Sequence, residues 1–123
     1  MPDLDPYQEG CPTRRLLDLI GGRWTVLIVG ALTDGTLRFS QLQRRIEGIS
    51  QKMLTQTLRA MERDGLVIRT MTAEVPIRVE YRLSAAGLTL TEPLKALERW
   101  SIEHYQGVAA SRSAWETSAG RHT

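Results

Sequence analysis

Residues Gly48 to Arg69 read GISQKMLTQTLRAMERDGLVIR, and their pattern decides the fold. The stretch predicts a tight turn, a short amphipathic helix and the start of a strand. Ser50 suits the helix N-cap because its hydroxyl can accept from a free amide of the first turn. Met53, Leu54, Leu58 and Met61 recur at helical spacing and form the stripe expected to be buried. Asp64-Gly65 ends the helix with a glycine C-cap. The opposite face carries Gln51, Lys52, Thr55, Gln56 and Arg59. Those residue types hydrogen-bond base edges and phosphates.

Upstream, Ser40 is expected to cap a helix over SQLQRRIE, with Leu42 and Ile46 facing inward. Two helices joined by a turn containing glycine have helix-turn-helix spacing. Leu37-Arg38-Phe39 reads as a short extended piece. Trp24 to Leu32, WTVLIVGAL, is apolar almost all round, which predicts a central helix buried on most sides. Pro12 fits the first position of a helix bearing Leu16, Leu17, Leu19 and Ile20, stopped by Gly21-Gly22. Residues 1–10 are expected to form a flexible arm.

Downstream, Leu66 to Met71 and Ile77 to Leu83 read as two strands of a hairpin. In the second, Ile77, Val79, Tyr81 and Leu83 should point one way and Arg78, Glu80 and Arg82 the other. A basic hairpin after a helix-turn-helix is a wing. Ser84 should cap a final helix to about Tyr105, with Leu90, Leu94, Leu97 and Trp100 as its apolar stripe and Pro93 kinking or splitting it. Residues 106–123 read as a loosely ordered polar tail, with Trp115 docked back. The expected fold class is α+β, mainly α: a winged helix-turn-helix over residues 11–105, with a two-stranded wing and terminal dimerisation helices.

A chain of 123 residues is one domain's worth. No apolar run approaches the ~20 residues of a membrane span, and the acidic, polar first ten residues lack the pattern of a signal peptide. A cytoplasmic protein is expected. Net charge is only +2, but Thr36 to Arg82 holds nine Lys/Arg against five Asp/Glu. The basic excess therefore falls on the segment proposed to meet nucleic acid. The single cysteine, Cys11, excludes an internal disulfide and a multi-cysteine zinc site. His104 and His122 are the only histidines and neither has metal-ligand spacing. Gly21-Gly22 lacks the Lys-Ser/Thr of a phosphate-binding loop. No catalytic set, metal or cofactor is predicted.

With these residues in view, the chain resembles the HxlR-type family of bacterial winged helix-turn-helix regulators. The resemblance spans about Cys11 to Tyr105. It rests on CPTRRLLDLIGGRWTVLIVGALTDG, on LRFSQLQRRIEGISQKMLTQTLRAMERDGLVIR, and on EVPIRVEYRLSAAG. It implies a dimeric repressor or activator that binds short inverted repeats. In several family members it also implies a cysteine just before the first helix that senses electrophiles or oxidants.

The candidate contacts follow. Residues near the start of a reading helix reach deepest into the major groove, which nominates Ser50, Gln51, Lys52, Thr55 and Gln56 for bases. Arg59 and Arg63 lie further along and suit phosphate. Arg38, the amides of Ser40 and Gln41, and Arg69, Arg78 and Arg82 of the hairpin would position the duplex. Arg78 is nearest the tip and suits a minor groove. Pairing with Glu74 or Glu80 is the alternative, expected more for Arg82 than for Arg78. Cys11 precedes a helix start, and the helix dipole with Arg14 and Arg15 would favour its thiolate. The first helix and the Leu90–Tyr105 helix are the expected homodimer surfaces. Together these predict a homodimeric repressor of a pseudo-palindromic operator, switched by thiol modification at Cys11. Two alternatives stay open: a small ligand in a pocket near the Trp24 helix, and a winged-helix interaction module without DNA binding.

Overall fold

The computed structural model describes residues 4–121; His122 lies outside them. In order the elements are α1 (Pro12–Ile20), α2 (Arg23–Leu32), β1 (Leu37–Arg38), α3 (Phe39–Arg45) and α4 (Gln51–Arg63). Then come β2 (Val67–Thr72), β3 (Arg78–Leu83), α5 (Ala85–Thr89) and α6 (Thr91–Arg121). Two compact units result, one ending at Thr91 and the other beginning at Glu92.

In the first unit α2 is the centre, touching α1, α3, α4 and β3. Its Ile28, Val29 and Leu32 are buried. Around them lie Leu42 and Ile46 after it, Leu54, Leu58 and Met61 of α4, and Val67, Tyr81 and Leu83 of the sheet. The helix is buried or half-buried on most sides, and one side, bearing Leu27, faces outward. Helix α1 has no buried residue at all, and its Leu16 and Leu17 are exposed.

The sheet has three strands, not two, in the order β1-β3-β2, all antiparallel. The extended piece Leu37–Arg38 supplies the third by pairing with Tyr81 and Glu80. The hairpin strands each begin one residue later than expected, leaving Ile77 outside β3 and exposed. Inward alternation therefore holds at Tyr81 and Leu83, near the core, and is lost toward the tip where no layer lies beneath.

Two helix starts differ from expectation. The N-cap of α3 is Arg38, not Ser40. Gln41 Oε1 accepts from the Arg38 amide at 2.8 Å, so a side chain inside the helix caps backward. The final helical run splits at Leu90 rather than at Pro93. Pro93 sits in the first turn of α6, where a missing N–H leaves no intrahelical bond unmade.

The second unit is α6, which continues to Arg121, and this corrects the loosely ordered tail. Residues 106–121 contain no proline and four alanines, the best helix formers. One polar side chain turns back onto the helix: the Thr117 hydroxyl donates to the Ser113 carbonyl at 3.0 Å. No helix among the described residues is long and apolar enough to cross a membrane.

Candidate nucleic-acid interface

Helix α4, the candidate for reading DNA, is held at both ends. Gly48 adopts φ +87°, a left-handed conformation that favours glycine and lets the chain reverse between α3 and α4. Buried Ile49 anchors that turn. Ser50 Oγ then accepts from the Met53 amide at 3.0 Å. At the far end Gly65 (φ +74°) donates to the Glu62 carbonyl at 3.0 Å, and Leu66 donates to the Met61 carbonyl at 2.9 Å. These two bonds form a Schellman motif, which fixes where α4 stops and β2 starts.

Leu54, Leu58 and Met61 face the core. Met53 does not join them: it is 37% exposed, because 100° per residue carries it around from Leu54 onto the flank. Ser50, Gln51, Lys52, Thr55, Gln56 and Arg59 line one open concavity. Donors, acceptors and two cations therefore converge on a single strip about three turns long. Arg63 is not part of that strip; its Nε donates to Asp64 Oδ1 at 3.4 Å.

The register of the wing sorts its arginines. Arg38 pairs with Glu80, Ile68 with Arg82, and Thr72 with Arg78, which places Arg38, Arg78 and Arg82 on one face of the sheet. Arg69 pairs with Tyr81 and shares the opposite face with Met71 and Val79. Arg78 lies between two carboxylates, Nη1 to Glu80 Oε1 at 3.5 Å and Nη2 to Glu74 Oε2 at 4.0 Å. No ion pair is found for Arg82 among the described residues, which reverses the expectation that Arg82 would pair more readily. Exposed pairs of this kind contribute about 0–1 kcal/mol and exchange easily for phosphate. Arg44 and Arg45, exposed in the last turn of α3, are basic groups that the sequence reading passed over. The QRRIE run was the available signal.

Cys11 is the N-cap residue of α1 and is half-buried. The Thr13 hydroxyl lies 3.0 Å from its sulfur. That contact holds the thiol below its ordinary range; partial desolvation opposes it, and backbone hydrogen bonding at Thr13, Arg14 and Asp5 assists. The contact seen at the sulfur is thus a local hydroxyl. No group of three or more His, Cys, Asp or Glu among the described residues could hold a metal ion.

Comparison with known proteins agrees with this geometry. An HTH-type transcriptional regulator of Escherichia coli K12, YtfH, is 46% identical over 94 residues, covering 76% of this chain and 75% of the relative. The structure of a transcriptional regulator ytfH from Salmonella typhimurium superposes with a TM-score of 0.84 at 40% identity, covering 90% of this chain and 99% of that one. The redox regulator HypR in its oxidized form superposes with a TM-score of 0.70 at 38% identity, covering 76% and 96%. The relatives are transcriptional regulators, not enzymes. The model of the HxlR-like helix-turn-helix family matches residues 19–108, and the chain belongs to that family of DNA-binding transcriptional regulators.

Proposed function

We propose that this regulator acts in the cytoplasm as a homodimeric repressor of a pseudo-palindromic operator, with Cys11 as its thiol switch. The observation that carries the reading is the single concavity shared by Ser50, Gln51, Lys52, Thr55, Gln56 and Arg59. Gln51 and Gln56 suit bidentate bonding to adenine, Lys52 to guanine, and Thr55 can offer its methyl group to thymine. Arg59 and Arg63 contact phosphate. Arg38, the Ser40 and Gln41 amides, Arg69 and Arg78 orient the duplex.

Residues 11–105 carry the DNA-binding and dimerisation surfaces. Each of the two units exposes apolar side chains that a second copy would cover: Leu17 on α1, and Leu97, Trp100, Ile102 and Tyr105 on α6. A two-fold pair presents two α4 helices to successive major grooves, which is why the operator is an inverted repeat. The depressed thiol of Cys11 favours the nucleophilic thiolate, and the likeness to the redox regulator HypR supports the same reading. The protein contains one cysteine, so oxidation joins subunits or captures a small thiol.

Selection of bound sites from a random-sequence pool tests the reading, run with reduced protein, diamide-treated protein and Cys11→Ser. An inverted repeat bound by reduced protein and released only by treated wild type is expected. Selection of no sequence would reject the operator. Equal binding after treatment would reject the switch.

A further inference from the structure

A second groove, of about 390 Å³, opens on the first unit between the start of α1 and the end of α4. It is lined by Pro12, Arg15, Leu16, Arg63 and Asp64. The first three stand at i, i+3 and i+4 and so share one face of α1, a face distinct from that of Leu17. The volume falls at the lower end of the roughly 300–1,000 Å³ typical of small-molecule sites.

Its chemistry is lopsided. Two guanidinium groups face one carboxylate, and that carboxylate is already engaged: Asp64 Oδ1 accepts from Arg63 Nε. The terminal amino groups of Arg63 make no hydrogen bond or ion pair among the described residues, and Arg15 makes no ion pair there. The positive end of the α1 dipole adds to the same field, and carbonyls in the last turn of α4 are engaged by its Schellman cap. Pro12 and Leu16 supply apolar wall beside these charges. A planar guanidinium matches a carboxylate in a two-bond geometry, and the apolar wall matches a hydrocarbon body.

We propose that this groove is an effector site for a small organic carboxylate, with Arg15 and Arg63 holding the anion and Pro12 and Leu16 its apolar part. The proposal deepens the DNA-reading role proposed for α4 and rests on it. One wall of the groove is the last turn of the reading helix, so a ligand that clamps Arg63 to α1 biases the angle at which α4 is presented. The other wall begins one residue after Cys11, which brings effector and thiol to the same helix start.

The test uses the full chain, with benzoate as probe and benzamide as its neutral counterpart. Amide chemical shifts report binding, and fluorescence anisotropy reports affinity for a DNA duplex taken from site selection. Benzoate is expected to shift residues 13–16 and 63–65 saturably and to change DNA affinity severalfold, whereas benzamide does neither. Arg15→Gln is expected to weaken benzoate binding by about tenfold and to leave DNA affinity without benzoate unchanged. Arg15→Lys should retain an intermediate response. Benzoate that shifts no groove amide, or that binds Arg15→Gln as it binds wild type, overturns the site. Benzoate that binds without altering DNA affinity overturns its effector role. If no duplex is selected, the operator reading fails while the shift data still decide the groove.

Discussion

The hydroxyl of Ser84 donates to the carbonyl of Gly65, nineteen residues earlier in the chain. The same oxygen accepts from the Gly87 amide at 3.0 Å, capping α5. The Ser84 amide also donates to the Leu66 carbonyl at 3.0 Å. One residue thus ties the end of the wing to the turn that terminates the reading helix, and Gly87 packs directly against the Leu66 backbone. A Cβ at Gly87 would overlap the Leu66 carbonyl oxygen, a backbone atom that cannot swing aside.

Gly87→Ala is therefore expected to destabilise the fold by about 1–3 kcal/mol, the usual cost of forced overpacking. Ser84→Ala loses a cap and a long-range bond and should cost about 1–2 kcal/mol. Denaturant titration of both variants measures this. A Gly87→Ala protein as stable as wild type would mean that the wing root and the α4 terminus are not locked together.

On the reading helix, Gln51→Ala and Gln56→Ala should change which bases are selected, each costing about 1–3 kcal/mol at its own position. Arg59→Ala should weaken all duplexes alike and reduce the dependence of log affinity on log salt by about one unit. Site selection and salt titration separate the two behaviours.

The wing pairs Arg78 with two carboxylates. Glu80 holds Arg78 at 3.5 Å in the free protein. Glu80→Gln should leave that guanidinium with only its longer contact to Glu74 and remove a repulsive carboxylate, raising DNA affinity a few-fold at low salt. The gain should shrink as salt rises, because exposed charges are screened. Thermal stability should change by less than about 0.5 kcal/mol, as for most surface substitutions. Anisotropy at two ionic strengths is sufficient.

For Cys11, alkylation rate against pH should show a midpoint below that of an ordinary thiol, owing first to the Thr13 hydroxyl. Thr13→Val should move the midpoint up, and Arg14→Ala or Arg15→Ala should leave it in place. The sign for stability follows from the lowered value. The folded state releases its proton first, so this contribution is present above the unfolded-state pKa and is lost as pH falls through the folded-state value. An unchanged midpoint in Thr13→Val would remove the hydroxyl from the explanation.

Dimerisation is checked on α6. Leu97→Asp and Trp100→Asp place a charge on side chains that are 58% and 53% exposed in the single chain. Neither should harm the fold of one chain, and each should shift sedimentation toward monomer. Binding to an inverted repeat should then fall much more than binding to a half-site.

What the sequence by itself determined was everything set by local chemistry. Ser50 and Ser84 cap their helices, Gly48 and Gly65 take the left-handed turns, and Leu54, Leu58 and Met61 mark a buried stripe, because each depends only on neighbours within one turn. That was enough to mark which face of α4 turns away from the core. What depends on contacts between distant segments was decided only in three dimensions. Arg69 parts company with Arg78 and Arg82 because strand register assigns faces. Leu37–Arg38 becomes a strand because β3 is there to accept it, and Met53 with Leu16 and Leu17 of α1 stay exposed because no element of the first unit covers them. The groove beside Arg15 is of the same kind: its two walls are some fifty residues apart in sequence, and only folding sets them face to face.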